Sequence, residues 1–346
     1  MPDPVLTLQS VPPAIVIQAP EQKGGVKRTI VRSLITGSVL LNFWLFMVLA
    51  AALGGGERMI ERTVAGEGDA KIALIPLSGT IQSGGGGMGP FKGPDMIEAF
   101  RRQLDRAAKD PAVKGVLLEI NSPGGGLTAS DILARRVEAF RKETKKPVLA
   151  LISDLGASGG YMVALSADKV WAHPTSIVGS IGVIMMGFDL QGLSEKIGVK
   201  DRTWKSSKSG LKDMLSPFRD PTPEEKALVQ GLLDEYHDRF IEEFRASRKM
   251  TKEEALKLAD GRIYTAAAAL KLKMLDALGY REDAFADLKK TAGVPTAKLV
   301  RYERPAGLAG MLSGWAPAAA PQAAIPGPSE ILDAALPRLW AIWPGP

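Results

Sequence analysis

Apolar and polar positions along residues 71–293 predict strands and helices in alternation. Short apolar runs of strand length lie at 71–77, 116–120, 148–152, 169–172 and 180–185. Apolar residues recur at helical spacing at 94–110, 128–145, 189–197 and 223–248. Strands that alternate with helices in this order are typical of an α/β fold with a mostly parallel sheet. The loops that carry chemistry then lie at the carboxyl ends of the strands.

Helix starts are marked most clearly in the second half of the chain. Thr222 followed by Pro223 predicts the start of the long helix, because a threonine caps the first amides and proline suits the first helical position. Thr251 and Glu254 have the spacing of a capping box, and Thr265 predicts one more helix start.

An uncharged apolar run at 33–53 has the roughly 20 residues that a transmembrane helix needs. A cleaved signal peptide is the alternative, because Ala50 to Ala52 offers an A-x-A site. The run is longer than a usual signal-peptide core and the segment before it is very long, which favours an uncleaved anchor. Basic residues precede the run, whereas the charges after it are mixed. We therefore expect a single-pass cell-membrane protein with a cytoplasmic N-terminus and its large domain on the exoplasmic side.

The same patterns divide the chain into segments. We expect a flexible cytoplasmic tail at 1–32, the membrane helix at 33–53, a linker at 54–70, a catalytic domain at 71–293 and an Ala/Pro-rich tail at 294–346. Within the last segment, residues 329–343 are apolar enough to dock on a membrane or a partner, although Pro337 argues against a helix.

Composition excludes several kinds of site. The 346 residues include no cysteine, so disulfides, thiolate metal sites and cysteine nucleophiles are excluded. The net charge is +6, but basic residues are scattered among acidic ones and no long basic run with interleaved aromatics occurs. This favours a solvated surface over a nucleic-acid-binding one. The glycines in 78–93 fit G-x-G-x-x-G only by letter, and we interpret this segment as a loop over a cleft.

One serine stands where a nucleophile would be mounted. The buried strand at 148–152 leads into a tight turn in which Gly156, Gly159 and Gly160 surround Ser158. A serine at a helix start is accessible to a substrate, and the free amides of the next turn can stabilise an oxyanion. The alternative is that Ser158 is an ordinary helix N-cap.

A serine nucleophile needs a base, and the chain offers few. It has two histidines. His237 lies within the long helix, where a structural role is expected, and His173 follows a strand without a clear orienting acid. The other usable base is a lysine whose pKa is lowered by burial. The candidate lysines in the polar loop are Lys205, Lys208 and Lys212, of which Lys212 has the most apolar neighbours.

Several motifs in order resemble those of the signal peptide peptidase A family of serine proteases. They are Ser122–Gly126, Ala157–Tyr161, Val178–Val183, Ser209–Asp213 and Asp260–Thr265. The resemblance implies a Clp-protease/crotonase-like fold with a mostly parallel sheet and flanking helices, preceded by one transmembrane helix. It also implies ring or dome homo-oligomers in which the catalytic serine and lysine can come from neighbouring subunits.

The resemblance assigns roles residue by residue. It implies that Ser158 is the nucleophile, that Lys212 is its general base and that Ser180 holds the lysine by a hydrogen bond. The amides of Gly125 and Gly159 would form the oxyanion hole. Where relatives often have an aromatic pair after Ser-Gly-Gly, this chain has Tyr161 and Met162, a change that removes no catalytic group.

We therefore expect a membrane-anchored serine endopeptidase that degrades apolar peptides, such as cleaved signal peptides, through an acyl-enzyme and without metal or cofactor. One alternative is an esterase of the α/β-hydrolase type, because Gly156 to Gly160 fit G-x-S-x-G and His237 follows in the chain. The other is a catalytically silent membrane scaffold of the same fold.

Overall fold

The computed structural model describes residues 25–53, 59–84, 95–303 and 338–342. The chain divides into two compact units, one of residues 1–58 and 305–318 and the other of residues 59–304 and 319–346. The predicted tail at 1–32 and the glycine-rich loop at 78–93 lie largely outside the described residues, as does most of the segment 294–346.

In the first unit, the described residues form one helix, α1 (Gly25–Leu53). It contains the whole uncharged run at 33–53, and the apolar side chains described along it, from Leu34 to Met47, are exposed. Among the described residues, no helix combines the length and apolarity that crossing a membrane requires. The transmembrane segment stays a prediction.

The second unit alternates strands with helices. Its strands are β1 (Ile60–Gly66), β2 (Lys71–Ser78), β3 (Val113–Ser122), β4 (Gly124–Gly126), β5 (Val148–Ala157), β6 (Lys169–Ala172), β7 (Ile177–Gly179), β8 (Ile184–Met186), β9 (Ile263–Thr265), β10 (Ala277–Leu278), β11 (Lys298–Glu303) and β12 (Arg338–Ile342). Its helices are α2 (Met96–Lys109), α3 (Leu127–Thr144), α4 (Gly159–Leu165), α5 (Gln191–Lys196), α6 (Pro223–Arg248), α7 (Lys252–Leu258), α8 (Ala266–Lys271) and α9 (Arg281–Thr291).

The main sheet has the strand order β1-β11-β2-β3-β5-β6-β10. Neighbours from β11 to β10 are parallel, and β1 closes one edge antiparallel to β11. β7 pairs in parallel with the last residues of β5 and antiparallel with β9. The predicted α/β fold with a mostly parallel sheet is confirmed.

Helices cover both faces of this sheet. Successive residues of β2 point to opposite faces, as the strand period of two requires. Ile72 and Leu74 pack with Phe285 and Leu288 of α9. On the other face, Ala73 and its alternate neighbours join a larger core with α2, α3, α4 and α6. A strand buried on both faces gives a continuous apolar run, which is why β2, β3 and β5 were recognisable from sequence.

Helix boundaries follow from capping. Thr222 and Glu225 form a reciprocal capping box at the start of α6, and Thr251 with Glu254 does the same for α7. The Thr265 hydroxyl accepts a hydrogen bond from the Ala268 amide at the start of α8. These predicted helix starts are confirmed.

The structure differs from the sequence expectation in three places. The predicted strand at 180–185 is wrong in extent, because the chain turns at Ser180 and forms strand only before it in β7 and after it in β8. The main sheet extends past 71–293 on both sides, with β1 in the expected linker and β11 in the expected tail. β12 lies in the Ala/Pro-rich segment and joins β4 and β8 in a second, three-stranded sheet.

Candidate active site

The turn that carries Ser158, here called the serine turn (residues 156–160), lies at the carboxyl end of β5. The last residue of β5, Ala157, pairs with Gly179 of β7, and the Ser158 amide donates to the Gly179 carbonyl at 2.7 Å. The Met162 amide donates to the Ser158 carbonyl at 2.9 Å, which closes the first turn of α4. Ser158 is therefore fixed on both sides by the strand and the helix that it joins.

The backbone of Ser158 has an unusual conformation. Its φ is 49° and its ψ is −118°, and its side chain makes no capping hydrogen bond to α4. A non-glycine residue at positive φ costs on the order of 1–3 kcal/mol and persists where the surroundings enforce it. Ser158 is thus not the ordinary N-cap that the sequence left open. Its hydroxyl lies 3.5 Å from the Gly182 carbonyl, and the residue is 1% exposed.

Ser180 shares this strain and lies beside the serine turn. It has a φ of 49° and directly follows Gly179, whose carbonyl receives the Ser158 amide. The Ser180 amide is held by the Arg262 carbonyl at 2.8 Å. Its hydroxyl has no hydrogen-bond partner within the part of the chain that the structure describes. Two strained serines in adjoining segments mark this edge of the sheet as a site.

The second turn, here called the glycine turn (residues 122–126), carries Gly125. The Ser122 hydroxyl donates to the Gly79 carbonyl at 2.7 Å and accepts from the Gly124 amide at 3.1 Å. Gly125 and Ile81 form an isolated parallel β-bridge. A Cβ at Gly125 would lie 1.9 Å from the Ile81 carbonyl oxygen. No side chain fits there, so the close approach explains the glycine.

The two turns are in direct contact. Ser122 at the end of β3 pairs with Gly156 at the end of β5. A Cβ at Gly160 would lie 2.7 Å from the Ser122 carbonyl oxygen, so the start of α4 sits against the backbone of the glycine turn. The structure therefore brings together Ser158, Gly159, Ser180 and the glycine turn.

Lys212 lies apart from this cluster within one chain. It belongs to a 3₁₀ helix (Gly210–Asp213) in the segment 205–220, here called the lysine loop, and it is exposed. Across the described ranges it makes no side-chain hydrogen bond or ion pair, whether to Ser158, to Ser180 or to another residue. The expected desolvation of Lys212 by its apolar neighbours is not present in the single chain.

The lysine loop is held by an ion network that the sequence did not reveal. Arg219 donates to the Asp213 carboxylate at 3.0 Å and to Glu225 at 2.8 Å, while Lys205 pairs with Asp213. Glu225 is the third residue of α6 and is only 2% exposed. The network joins the residue next to Lys212 to the amino end of α6. The one feature of the sequence that pointed to this network is the spacing of Glu225 from Thr222, three residues apart as in a capping box.

Acid should release the lysine loop. Hydrogen bonds from Arg219 lower the pKa of Asp213, with help from Lys205, and lower that of Glu225 from 4.5 to about 2. Because both pKa values are lower in the folded protein, the stabilisation is complete above about pH 5 and is lost as pH falls toward 2. We expect amide hydrogen exchange in 205–220, corrected for its intrinsic pH dependence, to be faster at pH 3 than at pH 6.

The matched variants are Arg219→Gln and Arg202→Gln, the latter an exposed arginine just before the loop. Arg219→Gln should give fast exchange in 205–220 at both pH values, and Arg202→Gln should behave as wild type. Unchanged protection in Arg219→Gln at pH 6 would show that the network does not hold the loop.

Neither histidine serves Ser158 in this arrangement. The His173 ring packs against the Tyr280 ring with centroids 5.3 Å apart, and its Nε2 is buried without a hydrogen-bond partner in the described ranges. The Nε2 of His237, on α6, is likewise buried and has no hydrogen-bond partner among the residues described. In the described part of the chain, no hydrogen bond links either ring to Ser158. The geometry does not favour the esterase alternative.

Comparison with known proteins identifies the family. A family model described as peptidase family S49 matches residues 140–295. A putative signal peptide peptidase SppA of Enterococcus faecium is 36% identical over 262 residues, which cover 75% of this chain and 75% of that protein. A putative protease of Methanocaldococcus jannaschii is 38% identical over 75% of this chain and 84% of that protein. The chain belongs to peptidase family S49.

Family S49 membership confirms the resemblance to signal peptide peptidase A and makes the chain a serine peptidase. The chloroplastic serine protease SPPA of Arabidopsis thaliana is also similar, at 31% identity over 70% of this chain and 36% of that protein. A solved structure, a ClpP1 mutant from Listeria monocytogenes, aligns with a TM-score of 0.40 and 15% identity, covering 61% of this chain and 93% of that one. The Clp-protease/crotonase type of fold stays a prediction within the confirmed α/β class.

Proposed function

We propose that this S49 peptidase is an endopeptidase with a Ser158–Lys212 dyad. The observation that carries the proposal is Ser158 itself, a buried serine held at positive φ where a central strand meets a helix. The same mounting is used by serine nucleophiles at strand-to-helix turns of other hydrolases. Ser180 adjoins the serine turn, and its hydroxyl has no hydrogen-bond partner among the described residues, which supports its proposed role in holding the lysine.

The chemistry follows from these groups. The neutral Lys212 amine takes the proton of the Ser158 hydroxyl as the oxygen attacks the scissile carbonyl. The amides of Gly125 and Gly159 stabilise the oxyanion. The Lys212 ammonium then protonates the leaving amine. In the second half of the reaction, neutral Lys212 takes a proton from the water that attacks the acyl-enzyme and returns it to the Ser158 oxygen as the peptide acid leaves.

In this proposal, Lys212 reaches Ser158 from a second copy of the chain. Within one chain Lys212 is exposed and has no partner among the residues that the structure describes, whereas Ser158 is buried. Large apolar side chains in the segment that precedes the lysine loop in the chain are also exposed, among them Phe188, Ile197 and Trp204, the last at 93%. Large exposed apolar side chains support a protein interface in this part of the chain. A head-to-tail contact that repeats around a closed ring would cover these side chains and complete each site.

We further propose that the substrates are apolar peptides such as cleaved signal peptides and that α1 anchors the enzyme in the cell membrane, with the catalytic unit on the exoplasmic side. The relative named a signal peptide peptidase supports the first part. The uncharged run at 33–53 within α1, with basic residues before it, supports the second. Extraction of cell membranes with alkaline carbonate tests the anchor, since deletion of 33–53 should release the protein.

Acylation of Ser158 separates this function from a silent scaffold. An active-site acylating probe incubated with the assembled full-length protein should label Ser158, read by peptide mass spectrometry. Labelling should disappear in Lys212→Ala, because the hydroxyl then has no base. An assembled oligomer in which Ser158 stays unlabelled would favour the scaffold.

A further inference from the structure

A cavity of about 920 Å³, here called the basic cavity, lies at the edge of the main sheet opposite the serine turn. Its walls come from the carboxyl ends of α3 and α6 and from the residues just before β5 and β6. β5 (Val148–Ala157) ends directly before Ser158, so at about 3.3 Å per strand residue its amino end lies roughly 30 Å from the nucleophile. The volume is in the range of small-ligand sites, and the proposed reaction does not use this cavity.

The cavity has more basic than acidic side chains. Five basic residues against three acidic ones leave a net charge of +2 when all are ionised. The basic residues are Arg141, Lys142, Lys145, Lys146 and Lys249. Lys146 is occupied, because its ammonium donates to carbonyls at the end of α2, at 2.7 Å to that of Ala107. Lys145 and Lys249 are exposed and make no side-chain hydrogen bond or ion pair within the described part of the chain.

The three carboxylates in the cavity already have cationic partners. Asp168 is paired with Arg141, and Glu138 lies 3.6 Å from the Lys142 ammonium. Glu243 accepts a hydrogen bond at 3.2 Å from Arg239, which is not a lining residue, and burial raises the pKa of Glu243. The positive charge of Lys145 and Lys249 is therefore not compensated inside the cavity.

Both of these lysines are fixed in the cavity wall by the way their helices end. Lys145 and Lys249 are the C-cap residues of α3 and α6, with φ values of 59° and 53°. Glycine and asparagine are the usual residues in this left-handed conformation. Lys273 has the same conformation outside the cavity, so the backbone alone does not mark a ligand site. What distinguishes Lys145 and Lys249 is that they line one cavity.

We propose that the basic cavity binds a phosphate group through the ammonium groups of Lys145 and Lys249. A phosphate monoester carries about 1.5 to 2 negative charges and three acceptor oxygens, so it suits two lysines without counter-ions. Met162 and Leu165 add apolar surface to the same cavity, and its volume leaves room for an organic group on the phosphate. The inference is independent of the proposed function, because no catalytic group takes part in it.

A purely structural role for the two lysines is the alternative. Cations near the carboxyl end of a helix interact favourably with its dipole, and this needs no ligand. The two roles predict different outcomes when the ammonium groups are removed. Asparagine is the suitable replacement, since it tolerates the left-handed backbone and carries no charge.

The test is isothermal titration calorimetry of the full-length protein in a neutral detergent at low salt. The two probes are inorganic phosphate and glycerol 3-phosphate, the latter a phosphate ester with the polar part of a phospholipid. We expect binding that weakens as sodium chloride is raised. Lys145→Asn and Lys249→Asn should each weaken it about fivefold. The matched control is Lys273→Asn, which should keep the wild-type affinity.

The two probes also distinguish the source of the phosphate. Tighter binding of glycerol 3-phosphate would uphold the site and assign it to a phosphate ester such as a lipid headgroup, and tighter binding of inorganic phosphate would uphold it as a site for the free ion. Absence of binding by both probes would overturn the inference. A lower Tm in Lys145→Asn and Lys249→Asn with unchanged probe affinity would also overturn it and leave the lysines with a structural role at the helix ends.

Discussion

Replacing Ser158 by alanine is expected to lower kcat on apolar peptides by about 10⁵- to 10⁶-fold, the usual cost of losing a serine nucleophile. Alanine keeps the Cβ of serine, so the strained turn should form as before and only the hydroxyl is lost. The measurement is steady-state hydrolysis of a quenched fluorescent peptide, with circular dichroism to show that the fold is retained.

The matched control is Ser153→Ala, a serine on the same strand β5 that is partly buried and five residues away. It should retain kcat within a small factor. Activity of Ser158→Ala near the wild-type value would show that Ser158 is not the nucleophile, even though its backbone is strained.

Replacing Lys212 by alanine should have an effect of similar size, about 10⁴- to 10⁶-fold in kcat, because base and nucleophile act as a unit. The folding stability of the single chain should not change, since Lys212 within it is exposed and unpaired among the described residues. Lys208→Ala is the matched control, an exposed lysine of the same loop, and should keep wild-type activity.

The same assay decides between the dyad and a histidine-based hydrolase. His173→Ala and His237→Ala should both retain activity, because neither ring hydrogen bonds to Ser158 within the described structure. Full activity in Lys212→Ala, together with its loss in either histidine variant, would replace the dyad by the esterase mechanism.

The parts of the site that were predictable from sequence are those built from local signals. The serine turn follows from a buried strand that ends in glycines around Ser158, and the capping box of Thr251 with Glu254 follows from spacing alone. The two turns came together as expected because parallel strands end at one edge of the sheet.

The parts that were missed depend on contacts between distant segments. β11 has only six residues, with Leu299 and Val300 both buried, so no alternation marks it, and Ala- and Pro-rich sequence follows. β12 forms by pairing with β4 and β8, which lie more than 150 residues earlier. The strain at Ser180 and the ion network of Arg219 likewise depend on loop geometry that residue spacing does not encode.

The exposed position of Lys212 is the largest difference between the structure and the active site expected from the sequence. A base was expected beside Ser158, and the single chain instead has an exposed lysine on a loop clamped to α6. A dyad shared between neighbouring copies accounts for both the expected base and the exposed position of Lys212. It also predicts that two inactive variants restore activity in a mixed assembly, which a site within one chain does not.

Co-expression of Ser158→Ala and Lys212→Ala chains, each with its own affinity tag, tests this claim most directly. In a mixed ring with equal amounts of the two chains, about a quarter of the sites would combine an intact serine with an intact lysine from the neighbour. Doubly purified assemblies should therefore recover about a quarter of wild-type kcat, although each variant alone is inactive. Mixed assemblies no more active than the single variants would contradict a site shared between subunits.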